Sequence, residues 1–256
     1  MIHKSLTLAI LILPQVWGQA RPSKVACPES GVSFCEVSLI SLPATDSLSV
    51  NTVNSNVSVE TWGGAGILVR AEVRATAASK ALAQEIADQV VVDASAGEVS
   101  VKGPSSNSGQ SWSVKLEIDV PAATGLTIST VNGGIAVHGV EGAITFDIVN
   151  GDASLDGVGG NVTGNAVNGS ILIAAGGDHW AGQTLAADTV NGDIEIDVPA
   201  DCTAHVTASV ADGTFSTNFP VEIPAGSQRV SFDLGTAGSS AITMSATKGN
   251  IQLRSE

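Results

Sequence analysis

The chain has 256 residues, with 25 Asp and Glu against 11 Lys and Arg, a formal charge of −14, 28 Gly and no Tyr. An acidic excess opposes a polyanion, because phosphate binding depends on clustered Lys and Arg, so nucleic acid is excluded as a partner class. A hydrophobic share of 43% supports a sizeable core and excludes global disorder.

His3 and Lys4 open the chain, an apolar run covers Leu6 to Leu13, and small residues follow at Gly18 and Ala20, which is the order of a secretory signal. Cleavage after Ala20 is expected. The run is far shorter than the ~20 residues a membrane span needs, and no later segment is long and apolar enough, so the mature chain is expected to have no transmembrane segment. Lys4 is the one Lys, Arg, Asp or Glu in residues 1–20, so its loss takes the charge from −14 to −15. Residues 21–47 read as an N-terminal loop segment. Cys27 and Cys35 flank a short stretch with Pro28 and Gly31 and form the expected disulfide in an oxidising compartment, leaving Cys202 as the odd thiol. Pairing of Cys202 with either of them is the alternative.

Residues 48–121 read as an α+β capping region. Ile67 to Val73 alternates as a strand, and Ala77 to Val90 is Ala-rich with Leu82, Ile86 and Val90 four apart on one helical face. Ser79 is placed to cap that helix. Strand patterns return at Val90 to Val92, Val99 to Val101 and Val114 to Val120. This part is expected to cover the end of the array that follows.

Residues 122–256 carry a repeat. Val-Asn-Gly recurs at Asn132-Gly133, Asn150-Gly151, Asn168-Gly169 and Asn191-Gly192, at intervals of 18, 18 and 23. The flanks align with it: Leu126 and Ile128, Ile144 and Phe146 precede the first two bends, and Ile135 and Val137, Ala153 and Leu155 follow them. Each unit therefore reads as two short alternating strands around an Asn-Gly bend. The same template fits around Ser55, Gly213 and Gly249, with Asp212 and Lys248 in the Asn place, giving seven rungs. Asn-Gly suits a hairpin turn as well as a solenoid corner. A hairpin meander needs no resemblance between successive units, whereas a solenoid stacks each residue on its counterpart one coil away, about 4.8 Å along the axis. In-register identity favours the solenoid, with Asn over Asn as an amide ladder. Val149 and Val167 are expected to share an inner column, with Ile148 turned outward.

Candidate chemistry is sparse. His138, His179 and His205 show no pattern that converges on a nucleophile or a second ligand, and Cys202-x-x-His205 lacks the second pair a zinc site needs. Asp152 and Asp193 follow the bend Gly, but the equivalent Gly134, Ser170, Thr214 and Asn250 do not build a calcium ladder. No cofactor or metal is expected. Trp180 sits in the five-residue excess of the 23-residue coil, and such insertions map to one face. It is the candidate ligand contact.

These residues resemble a bacterial family of exported domains of unknown function labelled candidate adhesins. The resemblance covers about Leu48 to Leu253 and is carried by Val53-Asn54, Trp62-Gly63, the Ala-rich helix, Val120-Pro121 and the four Val-Asn-Gly units. It implies a β-helical fold at the cell envelope and supplies no catalytic residue. The reading is an all-β dominated β-solenoid with an N-terminal β-rich cap containing one helix. Its expected role is a non-enzymatic envelope scaffold or adhesion module, in the periplasm, at the cell surface or secreted, whose ligand is a glycan or a protein. The alternative is a polysaccharide-acting β-helix enzyme.

Overall fold

A computed structural model describes residues 23–26, 32–95, 97–105, 108–176, 180–224, 226–236 and 239–256. The expected signal segment 1–20 and Cys27 lie outside them.

The first elements are β1 (Ser23–Ala26), β2 (Ser33–Pro43), β3 (Ser47–Thr61), β4 (Gly66–Thr76), α1 (Lys80–Ala87), β5 (Val91–Ser95), β6 (Glu98–Lys102) and β7 (Ser111–Val120). Residues 33–43, expected as loop, form β2, which pairs antiparallel with β1 and along its length with β4. Its apolar residues do not alternate cleanly because α1 packs against β2 and β4 and covers part of that face. Ser79 caps α1, accepting the Leu82 amide at 3.3 Å, and Ala83, Ile86 and Ala87 face the core.

The array follows as β8 (Gly125–Asn132) with β9 (Ile135–His138), β10 (Ile144–Asn150) with β11 (Ala153–Val158), β12 (Val162–Asn168) with β13 (Ile171–Ala175), and β14 (Thr184–Asn191) with β15 (Ile194–Val198). After them come β16 (Ala204–Asp212), β17 (Phe215–Thr217), β18 (Arg229–Leu234), β19 (Ala241–Lys248) and β20 (Ile251–Ser255). β8, β10, β12 and β14 pair in parallel and in register, as do β9, β11, β13 and β15. Strands on either side of a bend therefore lie in different sheets, and the architecture is a β-solenoid rather than a meander. The inward faces of the two sheets enclose one continuous apolar core.

The long β3 is the first coil. Its first half pairs with β8 and its second half with β9, so it links both sheets. On its far side β6 pairs with one half and β7 with the other, and β7 continues antiparallel into β4. The cap thus covers the N-terminal end of the stack.

At the other end the coils do not follow chain order. β14 pairs with β19 and β15 with β20, while β16 and β17 pair with the far sides of β19 and β20. The last coil is inserted between the two that precede it. β18 then runs antiparallel along the outer edge of β16, and Phe215 meets Phe232 edge-on at 6.2 Å between ring centres.

The expected orientation of the bend valines is reversed. Val149 is 41% exposed and Ile148 only 2%. Alternation from the buried Ile144 and Phe146 reaches Ile148 as the next inward residue, and Val149 falls on the corner, where the chain turns away from the core. Thr130, Ala166 and Thr189 occupy the Ile148 level and are also buried. The two threonines reach backbone carbonyls: Thr189 Oγ1 donates to Gly169 O at 2.9 Å and Thr130 Oγ1 to Ser55 O at 3.4 Å.

Two stability predictions follow from these columns. Ile148→Asp places an unpaired charge in the core and is expected to cost several kcal/mol, whereas Val149→Asp stays within about 0.5 kcal/mol; denaturant melts with the order reversed would refute the faces described. At the Phe146 level a β-carbon on Gly164 would overlap the Phe146 ring. Gly164→Ala is expected to cost about 1–3 kcal/mol through overpacking, and adding Phe146→Leu should recover part of that cost. Strict additivity in a double-mutant cycle would show that the two side chains do not share the space.

Candidate functional site

The corner is the most regular surface of the molecule. Asn132 Nδ2 donates to Asn54 Oδ1 at 2.9 Å, Asn150 to Asn132 at 3.0 Å, Asn168 to Asn150 at 2.9 Å and Asn191 to Asn168 at 2.9 Å. Each amide thereby donates one N–H along the stack. The next residue must be Gly for a steric reason. A β-carbon on Gly133, Gly151, Gly169 or Gly192 would overlap the backbone carbonyl of the coil beneath. Ser55 takes that place in the first coil, where the strands beneath, β6 and β7, are not joined by a corner.

One residue further on, side-chain oxygens accept the amide of the neighbouring coil. Asn56 Oδ1 receives Gly134 N at 2.9 Å, Asp152 Oδ1 receives Ser170 N at 2.7 Å, and Asp193 Oδ1 receives Asn250 N at 2.6 Å. The carboxylates weighed as calcium ligands therefore serve the backbone. No cluster of three metal-ligating side chains occurs among the described residues.

Beside the ladder the valine before each Asn is open to solvent. Val53, Val131, Val149, Val167 and Val190 are 41 to 44% exposed and stand at equivalent places of five successive coils. They form an apolar ridge of four coil steps, about 19 Å at the usual strand spacing.

Trp180 is half-buried, packs against the core, and donates its indole N–H to Gly160 O at 3.1 Å. Cys35 is disulfide-bonded and Cys202 is a free, buried thiol. Burial, and after it Asp201, pushes the Cys202 thiol above its ordinary value. His205 is exposed, and its ring contacts β18.

The histidines find partners that spacing did not reveal. His138 Nδ1 lies 2.9 Å from Asp156 Oδ2 in the next coil. His205 Nδ1 lies 2.6 Å from Asp233 Oδ1, and Ser231 Oγ lies 3.1 Å from His205 Nε2. His179 lies outside the described residues. Alternation along Arg229 to Leu234 does put Ser231 and Asp233 on one face, but only pairing of β18 with β16 brings them to His205.

Other ion pairs lie away from the histidines. Arg70 meets Glu117 at 2.6 Å, and Lys115 and then Arg70 hold the Glu117 carboxyl below its ordinary range. Arg254 forms a two-pronged contact with Asp197 at 2.8 and 2.9 Å and also pairs with Glu195. A cleft of about 220 Å³ opens between β2 and the end of α1, lined by Phe34, Ile40, Val73, Val90, Glu36 and Asp88. No helix among the described residues is long and apolar enough to cross a membrane.

No curated protein matches the sequence. A cell-adhesion candidate from Clostridium sporogenes ATCC 15579 is similar in structure at 11% identity, over 92% of this chain and 100% of that one, with a TM-score of 0.46. An adhesin candidate from Bacteroides fragilis NCTC 9343 is similar at 11% identity, over 86% and 97% of the two chains, with a TM-score of 0.39. The family model described as Toastrack DUF4097 matches residues 32–254, nearly the whole stack and its cap, and the chain belongs to that family.

Proposed function

We propose that the chain is an exported binding module of the cell envelope, adhesin-like, holding a glycan or a protein by the outer surface of its coil array. The observation that supports this reading is the valine ridge. A valine in solvent adds nothing to the core of its own coil, and one exposed apolar residue needs no explanation. Five in register make a continuous apolar strip, and such strips mark contact surfaces. The neighbouring Asn amides keep N–H and lone-pair capacity beyond the ladder bonds, so the strip has polar groups alongside it. Along the ridge the side chains hold and orient, and the role of that strip is contact. Trp180, near the wider turn of its coil, is a second contact in this proposal. The N-terminal signal pattern supports export, and an oxidising compartment would suit a Cys27–Cys35 disulfide.

The test uses Val131→Thr/Val149→Thr/Val167→Thr, which keeps β-branched side chains of similar volume at exposed positions and so leaves the fold intact. The mature protein is expected to co-sediment with bacterial envelope fragments, and the triple variant to lose most of that retention at an unchanged melting temperature. Equal retention of both proteins would overturn the ridge as the binding surface.

A further inference from the structure

The C-terminal end of the stack holds side chains of a kind that performs acyl transfer. β16 and β18 place His205 opposite Asp233 and Thr207 opposite Ser231. Alternation projects Arg229, Ser231 and Asp233 from one face of β18, the outer face that His205 shares. The order of atoms is the informative part. Asp233 sits on Nδ1 at 2.6 Å and Ser231 on Nε2 at 3.1 Å. A carboxylate on Nδ1 keeps the proton there, and Nε2 is then the basic nitrogen facing the hydroxyl whose proton it must take.

The backbone supplies a further group. Val210 N donates to Gln228 O at 2.8 Å, and His205 N donates away from β18 to Ser240 O at 2.9 Å. Backbone groups alternate sides in an antiparallel ladder, so Ser231 and Asp233 turn their N–H groups to the other edge of β18. Among the described residues β18 pairs with β16 alone. Among the described residues the Ser231 amide thus has no strand partner, and it lies beside its own Oγ, where a nucleophile's amide can meet a developing oxyanion. Arg229, two residues along the same face, has no ion-pair partner among the described residues and adds positive charge. The site is open, with His205 and Asp233 side chains 54% and 51% exposed. Such a surface cannot enclose a long acyl chain, but it admits a small acyl group carried on a larger molecule.

We propose that Ser231, His205 and Asp233 form an esterolytic site for short acyl esters. Ser231 Oγ attacks the ester carbonyl carbon while His205 Nε2 takes its proton, and the alcohol leaves with that proton as the C–O bond breaks. Water then attacks the acyl-serine with His205 as base, and the proton returns to Ser231 as the carboxylic acid departs. Asp233 acts through His205 and is a positioning residue. The site lies at the end of the stack and does not depend on the ridge binding anything.

The mature protein is treated with a fluorophosphonate probe and, separately, with p-nitrophenyl acetate. The expected results are a probe adduct on Ser231 by peptide mapping, its loss in His205→Gln, and at least about tenfold slower ester hydrolysis in Ser231→Ala. Asp233→Asn should lower kcat with KM unchanged, and Asp233→Glu should recover part of it. All these positions are exposed, and thermal melts verify that the variants fold. Absence of the Ser231 adduct, or hydrolysis that survives Ser231→Ala through imidazole alone, would overturn the site. Envelope retention measured on Ser231→Ala reads the binding proposal separately, since that variant leaves the ridge untouched.

Discussion

Every coil of this protein must lie flat on the one beneath it at the spacing of a parallel sheet, about 4.8 Å. The interaction that enforces this at the corner is the chain of backbone bonds from each bend glycine to the carbonyl of the adjacent coil. Gly133, Gly151 and Gly169 donate to Asn150, Asn168 and Asn191, Gly192 to Lys248, and Gly249 to Asp212, at 2.9 to 3.0 Å. At that distance no β-carbon fits between corner and carbonyl, which is why Gly recurs wherever a coil corner lies below. The Asn side chain then follows the same spacing and bonds to its own copy.

Stacking in register also governs the core. Each inward position becomes a column shared by neighbouring coils, so volume is balanced along the column and not within a coil. Phe146 stands beside Gly164, with Ala187 next in line. The ring takes the space that two small residues leave, as close-packed interiors require. A stack also has two ends with unpaired strand edges. One is closed by β6, β7 and the antiparallel β4 and β2. At the other, Phe219 and Ile223 of the segment after β17 pack against the core, and β18 covers β16 while carrying the charged Arg229 and Asp233.

Much of this was legible in the residues because a repeat reports on itself. The period, the paired strands of each unit, the amide ladder and the capped helix could be read from Val-Asn-Gly, its flanks and Ser79. The orientation of Val149 could not, since Val is apolar and Thr130 and Thr189 are polar, and hydropathy alone assigns them to the wrong sides. The threonines are admitted to the core by bonds to backbone carbonyls that only the fold reveals. The exchanged order of the last coils was equally hidden, because Asp212 and Lys248 match the template whichever way they stack. β2 has no local signature, because its partner β4 is distant in sequence and its apolar pattern is irregular. Ser231 and Asp233 reach His205 only through an antiparallel pairing that no local pattern encodes.

The stacking order is tested most directly by cysteine pairs at the corner. In a Cys202→Ala background, Asn191→Cys with Lys248→Cys places the two residues in adjacent coils, within the span a disulfide tolerates. Asn191→Cys with Asp212→Cys places them two coils apart, about 10 Å at the usual spacing and beyond that span. Mild oxidation of the folded protein is predicted to close the first pair and leave the second as free thiols. Closure of the Asn191–Asp212 pair with the Asn191–Lys248 pair left open would mean that the coils stack in chain order, and would contradict the register on which the whole account depends.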